Sequence, residues 1–500
     1  MQKFKDKNYL LILIIFLALI LRFYQLGKYP PSLFIDELSN GYNAYSILKT
    51  GRDEYGNLLP LIIKSFGDYN PALSVYTLIP SIAAFGLNET GVRFPSALLG
   101  TLTVILTYFI ALKISHNQKI AQVSAFLLAI APWHLQFSRY DHEANFMVFF
   151  SALAITLFLF AKKRFLFLIS SAFSFGLAFN TYHAAKVWVP LFILCLIFWH
   201  QTEMKELKLK KIAILFLILS LFTLPILLNI KNSLIRGQST GVFKEEKSLE
   251  IFFSGYLSHF SPNFLFINGD SIGRHSVEGM GELYVFELPL LFFGLIYLVH
   301  KIKEKNEKFL LTWLLLSPIP AALATPSPHA LRSLTIIPTL WIISAYGLKK
   351  MMSLKNINLR YIALTGIFLI FIYNLITYLH LYYVHYPKIK ALDWTYGYKQ
   401  VFEFIKPIES RYQAIAISNY YGWPYIAALF YLKFDPDQYQ KQSQDKSGFY
   451  KYEFFKDSWQ KTKPGKALVV TPQWQGHPPT VLHQIYFPNG DMAFRVSEEK

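Results

Sequence analysis

Cysteine is almost missing from this chain. Of 500 residues only Cys195 is one, inside an apolar block, so an intrachain disulfide and a cysteine-ligated metal cluster are both excluded. Charge is scarce too: Asp, Glu, Lys and Arg make up 16% of residues, against 53% hydrophobic and 17% aromatic. A soluble chain of this length would carry more charge. Acids are outnumbered by bases, 31 to 49, for a net charge of +18. Such an excess can signal nucleic acid. Here the lysines gather in short loops between apolar blocks, as in cytoplasmic loops under the positive-inside rule, so no nucleic-acid partner is expected. No small-x-small cleavage site follows the first apolar run; Arg22, Phe23 and Tyr24 do, which reads as a retained helix. Nothing resembles a nucleotide-binding domain, and no internal repeat suggests a transporter built from inverted halves.

What is present is a series of apolar blocks, each near the ~20 residues that cross a bilayer. They predict a polytopic α-helical membrane protein with about eleven transmembrane helices. The expected spans are 8–26, 92–113, 120–137, 144–161, 165–182, 185–200, 211–230, 284–301, 308–325, 331–347 and 360–383. With Lys3, Lys5 and Lys7 inside, this threading puts every lysine-rich loop, "KKR" at 162–164 and "HQTEMKELKLKK" among them, on the cytoplasmic side. The run 71–86 is short and broken by Pro80, and is expected as an interfacial or re-entrant helix in a first outside loop, 27–91. A second long outside loop spans 231–283. Residues 1–384 form the membrane module, and 385–500 a small α/β domain outside it. Its strands are expected at "YQAIAIS", "KALVV" and "VLHQIYF", with helices near 397–407 and 423–433.

Four outside segments gather the polar chemistry. The first holds Asp36, Glu37, Asp53, Glu54, Lys64, Tyr69 and Asn70. The second, "FSRYDHEANF", holds Arg139, Asp141 and His142; the third, "INGDSIGRHSVEG", holds Asp270, Arg274 and His275; the fourth, "PSPHALRS", holds His329 and Arg332. Ionisable groups at membrane level are costly and tend to line a polar site. Each also has a plain structural reading. Asp36 can cap a helix over about 37–49 that ends at Gly51. Asp53 and Glu54 suit a turn. Asp141 can pair with Arg139. His142 and His183 can be hydrogen-bonded scaffold. Arg274 and Arg332, the latter starting a helix, can meet lipid headgroups. Adjacent Asp36 and Glu37 diverge by ~100° on a helix, so one faces the chemistry and the other supports the loop.

A carboxylate at the outer surface can act as general base on an acceptor hydroxyl or amine. Arginines can hold a lipid-linked phosphate and stabilise the leaving charge. Tyr69, Trp133 and Tyr140 can stack on a sugar or polyprenyl group. The segments "FIDELSNGYNAYSILKTGRDEYG", "SFGDYNPALSVY" and "FGLNETGVRFPSALLGTLTV", with the later "SIGRHS" and "PHALRS", resemble the GT-C fold membrane glycosyltransferases. The nearest pattern is the protein O-mannosyltransferase and lipid A aminoarabinose transferase group, over about 1–345. The resemblance implies an inverting glycosyltransferase that uses a polyprenyl-phosphate-linked sugar. It maps Asp36 onto the catalytic base, Glu37 onto its neighbouring acid and Asp141 onto the acid of the second outside loop. One departure stands out: Asn70-Pro71-Ala72 replaces a Lys-Pro-Pro of many relatives, whose lysine is a phosphate-binding candidate. That role passes to Lys64, Arg139, Arg274 or Arg332, or the donor differs; His275 is a further donor-phosphate candidate. Tyr69, Asn70, His142 and His329 are the expected substrate contacts. Asp36, Glu37 and Asp141 with His142 or His275 form a candidate divalent-cation set. No His-x-x-x-His or Asp-x-Asp pattern occurs in the outer loops, so no obligatory metal is expected. Localisation is a prokaryotic plasma membrane, with donor lipid and an acceptor as partners. The alternatives are a lipid-linked sugar flippase and a polymerase or ligase that uses a lipid diphosphate.

Overall fold

The computed structural model describes residues 2–161, 164–201, 207–224, 241–242, 247–442, 446–461, 464–478 and 480–500. The side chains of Lys3, Lys5 and Lys7, Lys162 and Lys163, much of "HQTEMKELKLKK", the end of the seventh expected span and most of 231–246 lie outside them. The helices are α1 Gln2–Phe23, α2 Ile35–Thr50, α3 Leu73–Phe85, α4 Glu89–Ser115, α5 Gln118–Ile130, α6 Pro132–Ser138, α7 Glu143–Phe160, α8 Phe165–Phe179, α9 Ala185–Trp199, α10 Leu209–Leu221 and α11 Ser248–Ser258. They continue as α12 Glu287–His300, α13 Lys305–Leu316, α14 Ile319–Ala322, α15 Ile337–Met352, α16 Ile357–His380, α17 Tyr386–Ile389, α18 Tyr398–Ile405, α19 Pro424–Tyr431 and α20 Pro436–Gln440.

A helix lies in each of the eleven expected spans. Among the described residues three runs are by themselves long and apolar enough to cross a membrane: Glu89–Ser115, Glu143–Phe160 and Ile357–Ile389. The third expected span is not straight. It breaks into α5 and α6 with a 59° bend at Ala131-Pro132. Pro132 has no N–H and cannot continue the α5 ladder, but it suits the first position of a new helix. The carbonyls freed at the break find donors: Arg22 reaches Leu128 and Ala129, and the Tyr284 hydroxyl reaches Ile130 at 2.9 Å. The ninth span also breaks, ending at Leu316 before Pro318 and Pro320. The tenth starts at Ile337, with Pro338 in its first turn and a 3₁₀ turn before it. Arg332 therefore sits in the turn that precedes the helix, not at its start.

The chain divides into two compact units. One comprises 1–24, 66–73 and 96–381. Within it α12 and α15 touch backbone to backbone: a Cβ on Gly347 would lie 1.8 Å from the Leu290 carbonyl oxygen, and one on Gly294 2.1 Å from that of Ile343. Small residues at a crossing allow such approach where no hydrophobic drive separates helix from lipid. A buried aromatic cluster joins α9 to α13, where Trp188 stacks on Phe192 at 4.4 Å and Trp313 donates to the Thr335 carbonyl at 2.8 Å. Along α16 the apolar side chains stay outside, with Ile362 70% exposed, which is the surface a helix presents to lipid.

The second unit comprises 25–65, 74–95 and 382–500. The C-terminal region thus shares its unit with the first outside loop, including α2 and α3. Its sheet has six strands: β3 Ala414–Ser418, β4 Gly448–Phe449, β5 Tyr452–Phe455, β6 Ala467–Thr471, β7 Thr480–Tyr486 and β8 Met492–Glu499, with β1 Ile62–Ser65 and β2 Asp68–Pro71 lying earlier in the chain. The order is β4-β5-β3-β6-β8-β7. The strands β5, β3 and β6 run parallel, and the rest are antiparallel to their neighbours. The central strands β3 and β6 are buried at every residue, so they read as continuous apolar runs. The three expected strands are present, and β4, β5 and β8 add to them.

Candidate functional sites in the outer loops

Asp36 and Glu37 take different positions in the first turn of α2. The helix starts at Ile35, two positions earlier than the capping reading requires. Asp36 is half-buried inside the first turn and is not the cap. The reaching-back acid is Glu37, whose carboxylate accepts from the Phe34 N–H at 3.0 Å. Both carboxylates lie where the helix N-terminus favours negative charge. The far end closes as expected, with Gly51 in the left-handed region at φ 69°.

Glu37 is wholly buried against Arg93 of α4. The guanidinium grips it twice, Nε to Oε1 at 2.9 Å and Nη2 to Oε2 at 3.2 Å. Its remaining donors go to the carbonyls of Leu26 at 3.2 Å, Pro30 at 2.8 Å and Ser32. All five N–H groups are used, which only arginine can do. The pair clamps the chain entering α2, and with it Asp36. Arg93 was not singled out in the sequence. The nearby Asp53 behaves as turn chemistry: its carboxylate accepts from the N–H groups of Tyr55 and Asn57, each at 2.9 Å. Lys64 is exposed, its ammonium 5.3 Å from the Tyr55 ring centre.

In the other unit, the second, third and fourth outer segments meet. Asp270 is the hub. Its Oδ2 accepts from His275 Nδ1 at 2.9 Å and from the Ala330 N–H at 2.7 Å, and lies 3.9 Å from His329 Nδ1. Its Oδ1 accepts from the Ile272 N–H at 2.9 Å. The rings of His275 and His329 are 4.9 Å apart. Behind them, His259 Nε2 accepts the His329 N–H at 3.0 Å, and Glu282 accepts the Asp270 N–H at 3.0 Å. The bent third helix joins in: Trp133 Nε1 donates to the Ala330 carbonyl at 3.2 Å, and Gln136 donates to that of Arg274 at 2.7 Å.

Electrostatics divide the cluster. Burial works against the charge of Asp270, but the hydrogen bond from His275 and the N–H donors outweigh it and hold its pKa below the usual carboxylate value. Burial, with the Asp270 charge adding, pushes Glu282 well up. Burial lowers His275, and the charges of Arg274 and Arg332 lower it further, although Asp270 opposes them. Burial drives His329 down as well, helped by His275 and Arg332. His142 falls to about 3 through burial and the fields of His275 and Arg274. Thus Arg274, Arg332, His142, His275 and His329 share one electropositive neighbourhood, with neutral imidazoles.

The remaining expected residues have fixed local partners. Arg139 gives its Nη groups to the carbonyls of Leu21 at 2.7 Å and Tyr24 at 2.8 Å, at the C-terminal end of α1. Asp141 is buried. His142 caps α7, its Nδ1 accepting the Ala144 N–H at 3.2 Å. Asn70 Oδ1 meets His183 Nε2 at 3.1 Å, and Tyr69 is half-buried. Arg332 Nη1 donates to the Thr325 carbonyl at 3.0 Å.

The candidate cation set needs correction. Glu37 is committed to Arg93, and of the five expected residues only His275 belongs to the group whose ligand atoms converge. That group is Asp270, His275 and His329, with ligand atoms within 4.8 Å of one another. The donor types suit a divalent ion such as zinc. His329 Nδ1 is buried with no hydrogen-bond partner among the described residues, so it is available. Asp270 and His275 were visible five residues apart in a Gly-rich loop; His329 lies 54 positions further along, beyond the reach of any local motif.

The family model for dolichyl-phosphate-mannose-protein mannosyltransferase matches residues 12–236. An uncharacterized protein of Aquifex aeolicus (strain VF5) is 32% identical over 164 residues, which is 32% of this chain and 32% of that protein. The matched stretch is thus about a third of the relative's length. ArnT of Cupriavidus metallidurans, in a crystal structure bound to undecaprenyl phosphate, superposes with a TM-score of 0.56 at 12% identity, covering 98% of each chain. The oligosaccharyltransferase of Archaeoglobus fulgidus in its apo form gives 0.54 at 14% identity, covering 84% of this chain and 63% of its own. The same archaeal enzyme, AglB, in complex with an inhibitory peptide and a dolichol-phosphate, gives 0.53 at 14% identity, covering 86% and 64%. The chain therefore has the GT-C membrane fold of these glycosyltransferases, as its sequence motifs suggest.

Proposed function

We propose that the chain is an inverting glycosyltransferase that moves a sugar from a polyprenyl-phosphate donor to an acceptor outside the membrane. The observation that carries the reading is end-to-end correspondence with ArnT, a protein seen with undecaprenyl phosphate bound. The electropositive outer loops around His275 agree with it. Asp36 is the proposed general base. It takes the acceptor proton as the acceptor oxygen or nitrogen attacks the anomeric carbon. The bond to phosphate breaks on the opposite face, so the configuration inverts and a polyprenyl monophosphate leaves. Arg274 and Arg332 hold that phosphate and stabilise its growing charge. Glu37 is a positioning residue, through Arg93. Asp141 is the proposed second acid. Lys64, Arg139 and His275 remain donor-phosphate candidates, and Tyr69, Asn70, His142 and His329 substrate candidates. A divalent cation held by Asp270, His275 and His329 would add a positive charge beside the arginines.

The reading includes a plasma-membrane location in a prokaryote, about eleven crossings, an inside N-terminus and an outside region 385–500. The test uses the full chain in liposomes with a synthetic undecaprenyl-phosphate sugar and a crude envelope acceptor. Asp36→Asn is expected to slow transfer at least ~100-fold with unchanged thermal unfolding. Transfer retained by Asp36→Asn refutes that base. Transfer from an undecaprenyl-diphosphate-linked sugar supplied in a parallel assay, with release of the lipid diphosphate, and none from the monophosphate donor, moves the protein to the polymerase or ligase class. Lipid flipping with no glycosidic product makes it a flippase.

A further inference from the structure

The three parallel strands of the C-terminal sheet all point their carboxyl ends at one set of loops. Ser418 of β3 pairs with Phe455 of β5, and Ile417 with Val470 of β6, so the loops after them emerge side by side. Ligands of parallel α/β sheets bind in the crevice outside such carboxyl ends. A cavity of about 400 Å³ runs from these loops along the sheet, lined by Asp457, Ser458, Trp459, Thr471 and His477 near the carboxyl ends and by Glu499, which pairs with Ala467 at the start of β6. The lining combines hydroxyl, carboxylate, imidazole and indole groups with the apolar Phe455, Val469 and Pro478.

Two large rings stand in the open on the loops that follow β6 and β3. Trp474, in the loop between the lining residues Thr471 and Gly476, is 63% exposed, and Tyr420, just after β3, is 56% exposed. Their ring centres are 6.3 Å apart. These loops are tied down. Gln475 donates to the Lys456 carbonyl at 2.6 Å, joining the loop after β6 to the loop after β5, and Trp459 Nε1 donates to Glu453 at 2.7 Å. Trp474, next to Gln475, is thus held exposed on a fixed frame, which lowers the ordering cost of binding. Nothing in the transfer chemistry proposed above uses them.

We infer that this crevice binds an uncharged, hydroxyl-rich saccharide. The apolar faces of sugar rings would stack on Trp474 and Tyr420, and their hydroxyls would meet Asp457, Ser458 and Thr471. The site is a docking place for a glycan acceptor or product. The acceptor role rests on the glycosyl-transfer reading; the binding itself does not.

The experiment is saturation-transfer NMR on the full chain in detergent, with mannotetraose, chitotetraose and maltotetraose as probes. At least one is expected to bind, and Trp474→Ala to weaken it about tenfold, the scale of one lost aromatic stack. Trp474→Ala should unfold at the wild-type temperature. Asp457→Asn, a second and milder variant, should weaken the same probe. Asp36→Asn should bind it as the wild type does, so loss of transfer and loss of saccharide binding are read separately. If no probe binds the wild-type chain, or if Trp474→Ala and Asp457→Asn both bind as tightly as wild type, the inference is overturned.

Discussion

Arg93 makes a sharp test of how the first outside loop is held. Replacing it with methionine keeps most of its apolar stem but removes five donors. The Glu37 carboxylate then stands buried with no positive partner, and three carbonyls, of Leu26, Pro30 and Ser32, lose theirs. Breaking one side of a buried pair costs ~3–5 kcal/mol, because the other charge is stranded. Each orphaned carbonyl adds up to ~1 kcal/mol unless water enters. Arg93→Met is therefore expected to lower the unfolding midpoint in detergent by roughly 5–10 °C. Arg93→Lys keeps the charge but offers three donors to five acceptors, and should fall between. The informative variant is the double one. Glu37→Gln with Arg93→Met removes both charges and should be less destabilised than Arg93→Met alone, a coupling visible in a double-mutant cycle. Transfer should fall in all three, since the clamp orients the turn that carries Asp36. If Arg93→Met unfolds within about 1 °C of wild type, the clamp is not a structural element.

Glu54 gives a pH test. It is buried, and burial pushes its pKa from 4.5 to about 8, with Lys446 opposing. The folded chain then keeps a proton that the unfolded chain releases between those values. Its stability is greatest below pH 4.5 and falls as pH rises through about 8. Glu54→Gln should raise the unfolding midpoint at pH 8 by an amount worth at most ~5 kcal/mol, with little change at pH 4.5; an equal shift at both pH values refutes the burial argument. Gly41 of α2 faces α19: an added Cβ would lie 2.7 Å from the Phe430 ring and 2.8 Å from Val92. Gly41→Ala should cost ~1–3 kcal/mol by overpacking, read as a lowered midpoint. For the Asp270 cluster, zinc is expected to bind the full chain in a calorimetric titration. His329→Ala should weaken that binding by ten- to a hundredfold, and unchanged affinity removes the cluster as a cation site.

What could be read in the sequence followed the range of the interaction involved. Helix positions depend on local apolar length, and a helix stands in each expected span. The bend between α5 and α6 was not foreseen, although Pro132 was there to be read. The motif that raised the GT-C resemblance is short-range too, and the fold comparison agrees with it. The split of Asp36 from Glu37 follows from helix geometry alone, because adjacent side chains diverge. Which acid would be spent on the scaffold needed the partner, and Arg93 lies 56 positions away at the start of an apolar run. There it reads as an ordinary charge at the end of a span. Asp270 shows the same limit. Five residues from His275, it was in plain view, but it becomes a hub only when the His329 loop arrives. Long-range charge pairing also separates the two arginine roles. Arg93 and Arg139 spend donors on carbonyls at chain turns, so a phosphate would have to displace those bonds. Arg332 also donates to the Thr325 carbonyl, and the charges of Arg332 and Arg274 act on His275. A phosphate arriving there would offset that field, which is the electrostatic reason to place the lipid-linked phosphate beside these two arginines.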